Sequence, residues 1–225
     1  MKRICIVRHD YYPQEAHVRR NAEALLNYGY EVDIICLKKK KQLGWEVVHG
    51  INVYRLPVEH HRKGILRYLF EYAAFFLLAS CKLFWLYLTR KYSVIEVDNL
   101  PDFLVFTTIL PKLLGARVIF YVFDNMPEIY MDGYNIDSGH ILIRLLHFIE
   151  KVSATWADWV IVTQSTSKEL LQRRGVRGSK ISVVLNVPDE DVFLSCVPTS
   201  TNGSSFRLIT HGTLVKRYNV QTLIK

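Results

Sequence analysis

The sequence predicts an α/β fold with a doubly wound, mainly parallel sheet, and three segments carry that prediction. ALLNYGYEVDIICL, PKLLGARVIFYVF and LLQRRGVRGSKISVVLN each run from an amphipathic helix through a glycine into a β-branched apolar stretch. Gly29, Gly115 and Gly175 stand where a left-handed residue closes a helix, a conformation that glycine adopts without steric penalty. The runs that follow are apolar throughout instead of alternating, as in parallel strands covered on both faces. Strands regularly separated by helices make the sheet Rossmann-like.

Taken in order, RICIV predicts a first strand over residues 3–7, and EAHVRRNAEALL the first helix. The run EVDIICL predicts a strand over 31–37, and NVYRL another over 52–56. Further strands are expected over 94–97, 118–123, 159–162 and 181–185, with helices in most of the intervals. Asp102 reads as the residue that opens the helix FLVFTTIL before Pro111. Residues 1–187 form one domain on this reading. From 188 to 205 the texture turns polar and proline-containing, as in a linker. Residues 206–225 begin a second domain with the strand FRLITHG, and a strand and a helix start cannot bury a core, so the chain reads as truncated there.

The 225 residues, half of them hydrophobic, are enough to bury a sizeable core. Four cysteines, Cys5, Cys36, Cys81 and Cys196, lie far apart without a CxxC pair, which argues against zinc or redox motifs and for reduced, mostly buried thiols. The opening MKRICIVRHDYYP is too brief an apolar run for a signal peptide, so a cytoplasmic location is expected. A net charge of +8 suits a polyanionic partner. No nucleic-acid-binding motif accompanies it, so nucleic acid is not expected. Lys38 to Lys41 read equally as a solvated loop. Between Ile65 and Thr89, aromatic residues including Tyr68, Phe75, Phe76 and Trp85 crowd into one segment with basic flanks. Two readings fit it: a helix lying at the headgroup level of an anionic membrane, peripheral to the inner face, or a large core helix packed on the sheet.

No GxGxxG or Walker loop follows the first strand, which excludes the usual dinucleotide and phosphate fingerprints. Arg19 and Arg20 fit a solvated helix face better than an anion site. Polar residues instead gather after strands: His9 and Asp10 after the first, Asp98, Asn99 and Asp102 after the fourth, Asp124, Asn125 and Glu128 after the fifth. In a doubly wound sheet these loops meet at one rim, where ligands bind.

In order along the chain, HDYYPQEAHVRRNAEALLNYGYEVDIICL, GINVYRLPV, YSVIEVDNLPDFLVF, VIFYVFDNMPEIY and WADWVIVTQSTSKELLQRRGVRGSKISVVLNVPDEDVF resemble the N-terminal half of family-four glycosyltransferases of the GT-B type. FRLITHGTLVKRYNVQTLI resembles the opening of the donor domain of such enzymes. The resemblance implies transfer of a sugar from a nucleotide-sugar, UDP- or GDP-linked, to a saccharide or lipid-linked acceptor in polysaccharide biosynthesis, with retention, no bound metal and no other cofactor. It implies that residues 1–187 are the acceptor domain. It implies a catalytic role for Asp124, whose carboxylate would take or orient the acceptor hydroxyl's proton, and acceptor contacts from His9, Asp10, Asp98, Asn99, Asn125 and Glu128. It implies donor contacts from His211, Gly212, Lys216 and Arg217. A cap on the following helix is the other reading of Asp124, and a surface acid that of Glu128. Phe123, Glu96 and Asp98 stand where many members have histidines. With the donor half missing, the alternative function is a non-catalytic acceptor-binding or scaffolding module.

Overall fold

The computed structural model describes residues 2–59 and 65–187. Along the chain run β1 (Arg3–Val7), α1 (Ala16–Asn27), β2 (Glu31–Leu37), β3 (Trp45–Val48), β4 (Ile51–Leu56), α2 (Ile65–Arg90) and β5 (Val94–Asp98). A 3-10 turn (Asp102–Thr108) leads into α3 (Ile109–Leu113), followed by β6 (Arg117–Val122), α4 (Met126–Tyr134), α5 (Ile141–Trp156), β7 (Trp159–Val162), α6 (Ser165–Arg173) and β8 (Ile181–Val183). All eight strands join one sheet in the order β3-β4-β2-β1-β5-β6-β7-β8. Every pairing is parallel except β3 with β4. The predicted α/β, doubly wound sheet is therefore the observed one.

The helix closures follow one scheme. Gly29, Gly115 and Gly175 have φ of 82°, 103° and 93°. In each case the next residue, Tyr30, Ala116 or Val176, donates its N–H to the carbonyl five positions back, at Leu25, Pro111 or Leu171. This capping satisfies helix-end carbonyls and turns the chain directly into the next strand or loop.

Two features were not anticipated. β3 is an edge strand joined to β4 by the pair His49 (φ 51°) and Gly50 (φ 84°), a tight hairpin turn with both dihedrals positive. Its exposure alternates, unlike the continuous burial of the central strands, so it lacks the apolar run that marked the others. Asp102 does not cap a helix: Pro101 precedes the 3-10 turn, and Asp102 lies inside it, accepting from Asn99 Nδ2 at 3.0 Å.

The two sheet faces are covered unequally. On one, α1 packs Val18 and Ala22 against Ile6, Val32, Ile34 and Val53. On the other, α2, the 3-10 turn, α5 and α6 bring Phe75, Leu83, Leu104, Ala154 and Leu171 onto Val7, Ile35, Val97, Phe120 and Val160. The inner stripe of α2, Tyr72, Phe75, Ala79, Leu83 and Leu86, is buried at helical spacing, as the core-helix reading requires. Cys5 and Cys36 are buried thiols, whereas Cys81 is exposed on α2. Cys196, the expected linker at 188–205 and the expected second-domain start at 206–225 lie outside the described residues.

Candidate functional site

The sheet reverses its winding between β1 and β5, and the carboxyl ends of β1, β5 and β6 meet at that switch, the place where a doubly wound sheet forms its ligand crevice. Side chains alternate along strands, so each strand end divides its polar residues between the two faces. Glu96 sits beside Ile6 in register, and Asp98 beside Tyr121. Glu96 is on the side of α1, where its Oε1 accepts from Asn21 Nδ2 at 3.2 Å. Asp98 is fully enclosed, and no N–H or hydroxyl reaches either of its oxygens among the described residues. Its carboxyl meets that of Glu96, and burial raises the proton affinity of both, that of Asp98 strongly. Two enclosed acids in contact do not both ionise, so the pair holds a proton.

Arg8, the residue after β1, supplies the cation of this crevice and favours the charged form of Asp98. Its Nε and Nη1 are enclosed yet donate to nothing among the described residues. The guanidinium lies 5.2 Å from the centroid of Phe123, which stacks on Tyr121 at 4.1 Å. The His17 ring lies 5.1 Å from Phe123. The crevice thus combines an unsatisfied cation, a protonated acid pair and an aromatic wall. Such a set suits a polyhydroxylated ligand, whose hydroxyls both donate and accept.

The sequence-derived candidates divide between this crevice and the opposite face. Asp98 lies beneath the crevice, fully enclosed. Asp124 is exposed on the loop after β6, and its carboxylate forms no hydrogen bond among the described residues. Asp124 does not cap α4 either, since Asn125 occupies that position. Asp10 is half-buried; its Oδ1 accepts from the Tyr11 N–H at 2.7 Å and its carbonyl from the Leu37 N–H. His9 faces α2, where Nε2 lies 3.2 Å from Glu71 Oε1 and its ring meets Tyr72 and Phe75 edge-on, each at 4.8 Å. With its side chain 3% exposed, His9 fastens α2 to the loop after β1.

Asn99 is a staple. Its Nδ2 donates to the Asp124 carbonyl at 2.6 Å and to Asp102, while its Oδ1 accepts the Phe123 N–H at 2.9 Å. The whole amide is used in fixing the backbone that carries Asp124. Asn125 and Glu128 also point inward. Asn125 Nδ2 donates to Glu150 Oε1 at 3.3 Å, and its Oδ1 accepts from Ser167 Oγ at 2.6 Å. Arg174 bonds both Glu128 and Glu150 and lies 3.0 Å from His147 Nε2. These contacts anchor the loop after β6, while Glu128 Oε2 accepts no hydrogen bond among the described residues. Arg20 bonds Asn186 and the Val187 carbonyl. His211, Gly212, Lys216 and Arg217 lie outside the described residues.

Arg8 and His17 were missed. Arg8 directly precedes the His9–Asp10 pair that drew attention, and the period-two alternation of β1 is the signal that separates it from His9. No group of three or more potential metal ligands converges among the described residues.

The family described as "Glycosyl transferase 4-like domain" matches residues 14–186. No curated protein matches the sequence. Among solved structures, sucrose-phosphate synthase from Thermosynechococcus elongatus superposes with a TM-score of 0.61 at 16% identity, over 85% of this chain and 50% of that one. Phytolacca americana UGT2, complexed with UDP-2fluoro-glucose and pterostilbene, gives 0.57 at 10% identity, over 86% and 56%. Anabaena Alr3699/HepE in complex with UDP-glucose gives 0.55 at 12% identity, over 86% and 46%. At these identities the likeness is one of fold, and the chain spans about half the length of each.

Proposed function

The chain belongs to the glycosyl transferase 4-like domain family, and from that premise we propose that it forms the acceptor-side lobe of an enzyme moving a sugar from a nucleotide-sugar to a saccharide or lipid-linked acceptor. The observation that carries the reading is the pairing of unsatisfied polar groups, Arg8 and Asp98, in the switch crevice beside the exposed Asp124. An acceptor hydroxyl held there would attack the anomeric carbon while the bond to the leaving diphosphate breaks. Asp124 would take or orient the proton that the hydroxyl loses. Asn99 acts as a positioning residue, because it holds the Asp124 backbone. A UDP- or GDP-linked donor would lie against a facing lobe, whose opening residues 206–225 resemble. Retention of configuration and transfer without a metal are part of the same proposal. Asp10 remains the second rim carboxylate proposed for the acceptor.

The test separates binding from turnover. Saccharides and lipid-linked saccharides are screened against the chain by ligand-observed NMR, and UDP- and GDP-sugars are then added to assay product. Acceptor binding should weaken about tenfold or more in Arg8→Ala, as expected for loss of charge-assisted hydrogen bonds. Asp124→Ala should leave the thermal midpoint unchanged and lower any turnover roughly 10²- to 10⁴-fold. Absence of acceptor binding across the screen refutes the reading.

A further inference from the structure

The two layers of helices differ in what they turn to solvent. On one side of the sheet, α1 exposes no large apolar side chain. On the other side of the sheet, α5 carries two apolar stripes. One is buried, through Ile143, Leu146 and Ala154. The second, Ile141, Leu145, Phe148 and Val152, advances by four, three and four residues along the opposite side of the helix, and each member is exposed.

The pattern is repeated on the neighbouring elements. α2 exposes Phe70 (74%), Leu77, Trp85 and Leu88 opposite its buried stripe. Its residues Leu69–Arg90 are long and apolar enough to cross a membrane, but the inner stripe is committed to the core of the sheet. Between α2 and α5 lies α3, which exposes Leu110, Leu113 and Leu114. Tyr87 Oη donates to the Leu114 carbonyl at 2.8 Å, and Lys112 Nζ bonds the Trp156 carbonyl, so the three helices are fixed side by side.

Charge on the face formed by α2, the 3-10 turn, α3 and α5 is sorted by sign. Its acidic residues, Glu71 on α2, Asp102 in the 3-10 turn and Glu150 on α5, are all buried. Its exposed charges, Arg67 on α2 and Arg144 and Lys151 on α5, are all basic, and Lys91 follows directly after α2. Lys82 lies 4.7 Å from the centroid of the Trp85 ring, its stem along the apolar face. Scattered exposed apolar residues are ordinary, whereas a continuous sheet of them across three helices marks an interaction surface. A face of three helices, α2, α3 and α5, with no exposed acid among their described residues and a rim of cations complements a negatively charged bilayer surface.

We propose that the outer face of α2, α3 and α5 is a single monotopic docking surface for an anionic lipid bilayer. The side chains of all three helices enter the headgroup boundary together, and the protein lies on the membrane without spanning it. The surface stands apart from transfer chemistry, since a chain that transfers no sugar would still dock. Sedimentation with phosphatidylcholine vesicles, with or without about 30% phosphatidylglycerol, tests it. Binding should require the anionic lipid and fall with salt. Arg144→Glu with Lys151→Glu should weaken it roughly fivefold or more per charge. Leu145→Ser with Phe148→Ser, both at exposed positions, should weaken it about tenfold or more with an unchanged urea midpoint. No binding to anionic vesicles overturns the proposal. Loss through Phe70→Ser and Leu77→Ser but not through the α5 pair overturns the three-helix surface. Equal binding to zwitterionic vesicles overturns the role of charge. Self-association abolished by the α5 pair, without vesicle binding, assigns the face to a second copy of the chain instead.

Discussion

Replacing Arg174 by methionine should expose how the loop after β6 is held. Glu150 is fully enclosed; one of its oxygens bonds Arg174 and the other accepts from Asn125 at 3.3 Å. Without the guanidinium, a buried carboxylate keeps one neutral donor. Removal of one partner from such a pair costs about 3–5 kcal/mol, much of it the penalty of the charge left behind. The loss has a pH dependence whose direction is fixed. Burial already raises the proton affinity of Glu150, against the pull of Arg174, so the variant raises it further. A carboxyl with a raised folded value binds a proton on folding throughout the window between its unfolded and folded values. Stability is therefore fullest below the unfolded value and falls as pH rises through that window.

Urea unfolding of Arg174→Met at pH 5 and pH 8 reads this directly. The deficit should be smaller at pH 5 than at pH 8, because protonation of Glu150 as pH falls relieves the orphaned charge. Glu150→Gln in the Arg174→Met background removes the orphaned charge and should recover most of the loss at pH 8, although Glu128 also loses its partner. A deficit below about 1 kcal/mol at pH 8, equal deficits at both pH values, or no recovery by glutamine would refute the reasoning.

Burial pushes Asp102 up to about 7, so the protein should lose stability as pH rises from about 4 to about 7. Asp102→Asn, which can still accept from Asn99, should abolish that slope and gain up to about 4 kcal/mol above pH 7 by urea unfolding. In the Asp102→Asn background, infrared spectra at neutral pH should contain a protonated-carboxyl band that adding Glu96→Gln and Asp98→Asn reduces, because those two acids hold a proton between them. Asn99→Ala removes bonds to Asp102, Phe123 and Asp124 at once. It should cost roughly 2–4 kcal/mol and speed hydrogen exchange at the Phe123 amide, and unchanged exchange there would contradict the staple.

What the sequence disclosed was periodicity, and what it concealed was direction. Apolar runs after Gly29, Gly115 and Gly175 located β2, β6 and the start of β8, since continuous burial leaves a continuous apolar signature. β3 left none, because an edge strand with one wet face and a two-residue turn needs neither an apolar run nor a proline. At the rim, adjacency in sequence was misleading. His9 and Arg8, or Asn99 and Asp98, are neighbours in the chain, yet the pleat sends one of each pair to α2 or the loop backbone and the other to the crevice. Residues that follow a strand share a rim without sharing a face. Asp124 was legible as a rim residue, whereas the commitment of Asn125 and Glu128 to Glu150 and Arg174 depends on partners 25 and 46 positions away that no local pattern announces.

α2 joins the two surfaces on which function is proposed. Its first turns are fastened to the loop after β1 through Glu71 and His9, one residue from Arg8, while Phe70 beside Glu71 is exposed on the outer face. A bilayer that took up Phe70 would therefore lie against the helix end nearest the crevice, and the buried His9–Glu71 contact would transmit any tilt of that helix to the β1 loop. His9→Gln retains a hydrogen-bonding side chain but removes the imidazole that faces Glu71 and packs on Tyr72 and Phe75. If docking and the crevice are coupled through this contact, the variant should still sediment with anionic vesicles, and acceptor binding should lose any enhancement that those vesicles confer on the unaltered chain. Equal enhancement in both proteins would mean that the two surfaces operate independently.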